Sequence, residues 1–247
     1  MDSEYAKKFG DSLNKKGINS ILFDLDDTLI ETHLIFVRQI EKYLDTLSNN
    51  TKYTKKHLKK IFEESNIEVH EKILVNPIRW KFVVKNISKK LDSKYKDVVI
   101  SNIKILNEIY NIVPVINEGT VEVLNLLNKT HVKLALVTHA NVKWTHFKLD
   151  SLGLKKYFEH IEIADENRFK EPQDWLAALN HLGISPKNSA LIGDNVKGDI
   201  ISGHSVGIKH LFLLPSPWSY YANGDIPEGT IKLNSLAEFL PLLEGVV

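Results

Sequence analysis

From about residue 118 onward the sequence alternates between apolar runs of strand length and stretches of helical spacing, and this alternation restricts the fold more than any other feature. "VKLALVTH", "HIEIAD", "SALIGD" and "KHLFLLP" read as strands. "GTVEVLNLLNK", "NVKWTHFKLDSLG", "PQDWLAALNHLG", "VKGDIISGHSVG" and "LNSLAEFLPLLEG" read as helices. Pro172 opens one helix and Gly183 closes it, while Gly153 stops another. Strand followed by helix, repeated, predicts an α/β fold: a parallel sheet with helices on both faces and right-handed crossovers.

Residues 20–24 ("SILFD") supply a further buried strand, preceded by a polar lead-in over 1–18 that includes a short helix. Between them and residue 118 the texture differs. "HLIFVRQIEKYLDTLS" places Leu34, Val37, Ile40 and Leu44 at helical spacing. "KKHLKKIFEES", "IRWKFVVKNISKKL" and "YKDVVISNIKILNEIYN" continue in that style, Lys-rich throughout, until Pro114 and Gly119. The expected organisation is an α/β core from residues 1–32 and 118–247, with a small all-helical insertion over 33–117. A chain of 247 residues, 43% hydrophobic, can bury a core in each.

Composition removes several classes of function. Lys plus Arg number 32 against 31 Asp plus Glu, so no net positive charge drives general binding to nucleic-acid phosphates. Lys55, Lys56, Lys59 and Lys60 read as a solvated helix face. Without cysteine there is no disulfide, thiolate metal site or thiol nucleophile. No stretch approaches eighteen uninterrupted apolar residues and the polar N-terminus lacks an apolar leader segment, so the expectation is a cytoplasmic protein without membrane partners.

The predicted strand over 20–24 runs into "DLDDT", which holds Asp24, Asp26 and Asp27. Like charges that close repel one another, more so when buried. Either the three lie on a solvated turn, or a cation sits among them. Ligands of open parallel sheets bind beyond the carboxyl ends of the strands. Thr138 ends "LALVT" and Asp194 ends "ALIGD", so both fall at the same edge as Asp24. Asp199 follows five residues after Asp194, and Lys170 stands just before a predicted helix. Carboxylates suit a hard divalent cation such as Mg²⁺. Together, Asp, Lys, Thr and a cation can hold a dianion while a carboxylate attacks it, which is phosphoryl transfer through an aspartyl-phosphate.

These residues resemble the motifs of the haloacid dehalogenase (HAD) superfamily. Asp24, Asp26 and Thr28 match its Asp-x-Asp-x-Thr, Thr138 its strand-ending hydroxyl, Lys170-Glu171-Pro172 its lysine before a helix, and Gly193-Asp194 with Asp199 its Gly-Asp-x-x-x-x-Asp. The order is that of the family, and the resemblance covers residues 19–32 and 118–243. It implies a Rossmann-like sheet and the following roles. Asp24 would be the nucleophile and Asp26 the general acid and then base. Asp24, the Asp26 carbonyl and Asp194 would hold Mg²⁺, while Thr138 and Lys170 bind the phosphoryl group. Asp199, Asn195 and Thr28 would support them. An acid at Asp26 favours phosphatases over dehalogenases.

The insertion over 33–117 matches the family's helical cap, a lid that selects a small phosphorylated metabolite. In it, Arg79, Trp80 and Lys81 are candidate substrate contacts. The family often has Asn after the motif-two hydroxyl, where this chain has His139. Two alternatives remain at the level of sequence: a phosphotransferase or mutase of the same fold, and a non-catalytic binding protein on that fold. Asp27 reads as structural or exposed, and the aromatics of "PSPWSYYANG" as packing on the core.

Overall fold

The computed structural model describes residues 3–219 and 221–244. The polar lead-in is a full amphipathic helix, α1 (Ser3–Lys15), longer than its sequence suggests. Ala6, Phe9 and Leu13 lie on one face of it and are buried against the sheet. β1 (Ser20–Phe23) is buried on both sides, as a central parallel strand must be. β2 (Ile30–Glu31) follows, then the helical excursion: α2 (His33–Asn50), α3 (Lys55–Ile73), α4 (Arg79–Lys90), α5 (Lys96–Ser101) and α6 (Ile103–Asn107). β3 (Val115–Ile116) returns antiparallel to β2, pairing Ile30 with Ile116 and Glu31 with Val115.

The remainder alternates as expected: α7 (Thr120–Leu127), β4 (Lys133–Thr138), α8 (Val142–Ser151), β5 (His160–Ile163), α9 (Pro172–Leu182), β6 (Ser189–Gly193), α10 (Ser202–Ser205), β7 (His210–Leu213), β8 (Ile231–Lys232) and α11 (Phe239–Glu244). The six-stranded sheet has the order β5-β4-β1-β6-β7-β8, with every pair parallel. Because side chains alternate along a strand, Ile21, Phe23, Leu134, Leu136 and Ile192 meet α1, α7 and α11 on one face. Leu22, Ala135, Val137 and Leu191 meet α9 on the other. A third cluster joins the helices of the excursion around Trp80, Tyr43 and Phe62, and Trp144 of α8 packs into it.

The chain leaves β1 toward β4 on one side and reaches β6 on the other, so a crevice opens at the carboxyl end of β1. Three local departures from the sequence reading bear on that crevice. The strand predicted through residue 24 ends at Phe23, and Asp24 donates one last backbone bond to Ile192 O at 2.9 Å. The helix expected in "VKGDIISGHSVG" begins as a π-helical stretch, Val196–Ile201, before α10. Asn195 O receives both Asp199 N and Ile200 N, which widens the turn and carries the Asp199 carboxylate inward. That carboxylate fills the space a Cβ on Gly193 would need, which is the physical reason for glycine there. The tail helix starts as a 3₁₀ turn, Leu236–Glu238, and β8 has no counterpart in the sequence reading.

Candidate active site

Asp24 stands one residue past β1 and is 6% exposed. Lys170 Nζ donates to Asp24 Oδ1 at 2.6 Å and to the carbonyl of Val137 at 3.0 Å, and lies 2.5 Å from Asp199 Oδ1. Two of the three ammonium donors are thus engaged in hydrogen bonds, while Asp199 Oδ1 is held as an ion-pair partner. Lys170 owes its place to the start of α9. Glu171 and Asp174 form a reciprocal cap there, and Arg168 grips the Asp174 carboxylate through both terminal nitrogens.

Asp194, just beyond β6, is buried and accepts Ser216 Oγ at 2.6 Å. Asp199 Oδ2 accepts Asn195 N at 3.0 Å. Carboxylate oxygens of Asp24, Asp194 and Asp199 lie within 4.8 Å of one another. Three acids against one ammonium leave excess negative charge in a dry place. Burial pushes Asp24 up from 3.8 to about 7 against the pull of Lys170, with Asp199 and Asp26 adding to the rise. Burial, then the charges of Asp24 and Asp199, push Asp194 up as well. Burial opposes the charge on Lys170, yet Asp199 and Asp24 outweigh it and raise that group above its ordinary value. An all-oxygen, net-negative donor set fits a hard divalent cation.

Above this floor lies a cavity of about 110 Å³. Asp24, Asp26, Thr138, His139, Lys170, Asp194 and Asn195 line its lower part, and Arg79 of α4 reaches it from the helical excursion. The Thr138 hydroxyl is fully buried with no hydrogen-bond partner among the described residues. His139 Nε2 is likewise buried and unpartnered. Burial and then the charge of Lys170 lower His139 from 6.5 to about 4, so its ring is neutral near pH 7. Arg79 stacks on Trp80 at 5.1 Å and donates to Asn66 Oδ1 at 2.7 Å.

One expected member, Thr28, stands outside the cavity, and a second, Asn195, lines it with its side-chain oxygen already engaged. Thr28 is buried but lies on the far side of the turn, where its carbonyl accepts Asn117 Nδ2 at 2.9 Å. The Asn195 side-chain oxygen is committed to capping Lys197 N and Gly198 N. The Asp26 side chain also lies outside the three-acid cluster, because Thr32 Oγ1 and Lys148 Nζ both donate to its Oδ1. Lys81 is exposed and does not line the cavity.

Several residues that shape the site escaped the sequence reading. Lys148 of α8 is fully buried, with its ammonium 4.1 Å from the Trp144 ring. Asp27 is indeed structural. Its backbone is left-handed (φ 63°), its Oδ1 accepts Thr32 N and His33 N at the start of α2, and its Oδ2 accepts Trp218 Nε1. Trp218 and Tyr221 line the cavity instead of packing on the core, and Tyr220 lies outside the described residues. Phe36 joins Trp218, Trp144 and Trp80 at ring separations of 5.9–6.3 Å.

Comparison with known proteins places this geometry. The family of haloacid dehalogenase-like hydrolases matches residues 21–213, and the chain belongs to it. Within it the chain is a phosphatase-type hydrolase, as its relatives' names indicate. The chain is 26% identical over 200 residues to pyrophosphatase PpaX of Bacillus pumilus, covering 80% of this chain and 83% of that one. It is 27% identical over 215 residues to phosphoglycolate phosphatase of Aquifex aeolicus, covering 86% and 91%. A HAD phosphatase from Thermococcus onnurineus superposes with a TM-score of 0.64 at 22% identity, over 92% of this chain and 99% of that one. The HAD-hydrolase YfnB from Bacillus subtilis, bound to magnesium, superposes with a TM-score of 0.65 at 17% identity, over 92% and 99%. Among the described residues no helix is long and apolar enough to cross a membrane.

Proposed function

We propose that this chain is a Mg²⁺-dependent phosphomonoester hydrolase acting on a small phosphorylated metabolite through an aspartyl-phosphate. The observation that carries the reading is Asp24 itself. It is buried, with Oδ1 held by Lys170, on the floor of a cavity into which an unpartnered Thr138 hydroxyl also faces. That leaves Asp24 Oδ2 as the attacking oxygen.

In the first step a bond forms from Asp24 Oδ2 to phosphorus and the bond to the leaving oxygen breaks, with Asp26 giving that oxygen a proton. In the second, Asp26 takes a proton from water as the water oxygen bonds phosphorus, and the bond to Asp24 breaks. Thr138 donates to the phosphoryl group in both steps, and Lys170 neutralises charge on Asp24. Asp24, Asp194 and the Asp26 carbonyl would hold Mg²⁺, which supplies charge neutralisation between carboxylates and substrate phosphate. Asp199 positions Lys170.

Residues 33–117 act as the cap over this site, a reading that their separate hydrophobic cluster supports. Arg79 and the neutral ring of His139 face the leaving group. The cavity volume favours a small metabolite. The cysteine-free sequence is in keeping with action in the cytoplasm. Incubation with 4-nitrophenyl phosphate and a panel of phosphorylated metabolites tests the proposal. Free phosphate is expected with Mg²⁺ and none in chelator, and Asp24→Asn is expected to be inactive while folded. Undiminished turnover by Asp24→Asn removes the nucleophile assignment. An isomerised product without free phosphate points to a mutase instead.

A further inference from the structure

The stripe that α8 buries consists of Trp144, Thr145, Lys148 and Leu149, so a lysine occupies a position where helical periodicity calls for an apolar residue. Enclosing an ammonium is expensive, and a buried ion pair is weak evidence of added stability. What Lys148 touches is Asp26 and the face of Trp144, and it does not line the cavity. It therefore reaches the reaction only through Asp26.

Both bonds to Asp26 arrive at the same atom. Lys148 Nζ and Thr32 Oγ1 converge on Oδ1, one from the core helix α8 and the other from the threshold of α2. Thr32 contributes no side-chain bond to the start of α2, so its hydroxyl serves Asp26. Neither bond reaches Oδ2, and Asp26 lines the cavity. We propose that Lys148, with Thr32, is a positioning residue that fixes the Asp26 carboxyl through Oδ1 so that Oδ2 is the oxygen presented to the leaving group. The proposal rests on the acid–base role read above for Asp26. It predicts that Lys148 and Thr32 govern how far the enzyme can use substrates with poor leaving groups, because only those need a well-placed proton donor.

The test is a series of phosphomonoesters from 4-nitrophenyl phosphate to simple alkyl phosphates, assayed with Mg²⁺ on the wild type and on Lys148→Met, Thr32→Val and Asp26→Asn. General acid–base catalysis is typically worth about 10²–10⁴-fold. Lys148→Met is expected to lose about 100-fold in kcat/KM on alkyl phosphates and less than about fivefold on 4-nitrophenyl phosphate, whose phenolate leaves without help, because kcat/KM reports the step in which the leaving oxygen departs. The kcat values, which also carry the Asp26-assisted second step common to all substrates, should fall by a similar factor wherever that step limits turnover. Thr32→Val, which removes no buried charge, should show the same selectivity at about five- to tenfold and decides the matter if Lys148→Met does not fold. Asp26→Asn should show the selectivity most strongly. Equal losses in kcat/KM across the series in Lys148→Met and Thr32→Val, or no loss, overturn the positioning role while leaving Asp26 intact. Absence of selectivity in Asp26→Asn overturns the reading of Asp26 and the proposal with it.

Discussion

Replacing Asp24 by asparagine is expected to stabilise the protein in chelator while abolishing its activity. In the folded chain Asp24 is pushed from 3.8 to about 7, burial being the largest cause and Asp199 and Asp26 adding to it against Lys170. A carboxyl raised on folding supports the fold fully below its unfolded pKa and loses that support as pH rises through the folded value. At pH 8 it is ionised in both states, and the charged form carries the whole penalty. At about 1.4 kcal/mol for each pH unit, a rise from 3.8 to about 7 corresponds to about 4 kcal/mol. Asparagine has the shape of the neutral acid and escapes that penalty. The pull of Lys170 is already inside that figure, since its charge and its hydrogen bond both act on the value. Lys170 keeps Asp199 and the Val137 carbonyl.

The net expectation is a gain of up to about 4 kcal/mol, or roughly 8–16 °C in Tm for a chain of this length. Urea unfolding at pH 8 in chelator measures it. Addition of Mg²⁺ should narrow the difference, since an ion at 100 times its Kd stabilises the wild type by about 2.7 kcal/mol and the variant by less. A lower urea midpoint for Asp24→Asn in chelator would refute the reasoning, because it would mean that Lys170 alone already compensates the charge on Asp24.

Two further expectations concern residues around the cavity. The His139 ring is lowered from 6.5 to about 4 by burial and by Lys170, so the unfolded chain binds the extra proton first and stability falls as pH drops from 6.5 to 4. His139→Gln should flatten the urea-midpoint profile in that window by at most about 3 kcal/mol, and an unchanged slope would count against it. Asp27→Ala removes the acceptor for Thr32 N, His33 N and Trp218 Nε1 and puts alanine in a left-handed backbone. Thermal melts should show a loss of about 2–4 kcal/mol.

Asp24, Thr138, Lys170 and Asp194 were legible because each sits where a strand ends or a helix begins, and a parallel sheet gathers those points at one edge. Lys148 was not, although its signal existed: it shares the helical stripe of Trp144 and Leu149. A lysine in such a stripe carries no sign of burial by itself, and its partner, 122 residues earlier in the chain, explains it. The π-helical turn at Asp199 has the composition of an ordinary helix and differs only in which carbonyl each amide meets. Trp218 and Tyr221 lie in a loop without period, so nothing local says which way they face. The two-residue strands β2, β3 and β8 are too short for alternation to register.

The narrow ribbon of Ile30–Glu31 against Val115–Ile116 has an architectural consequence. The excursion departs and comes home through a single doorway, so from the sheet's standpoint more than eighty intervening residues are equivalent to one short loop. A bundle of another shape can thus be joined to the same two stems with the strand order of the sheet unchanged.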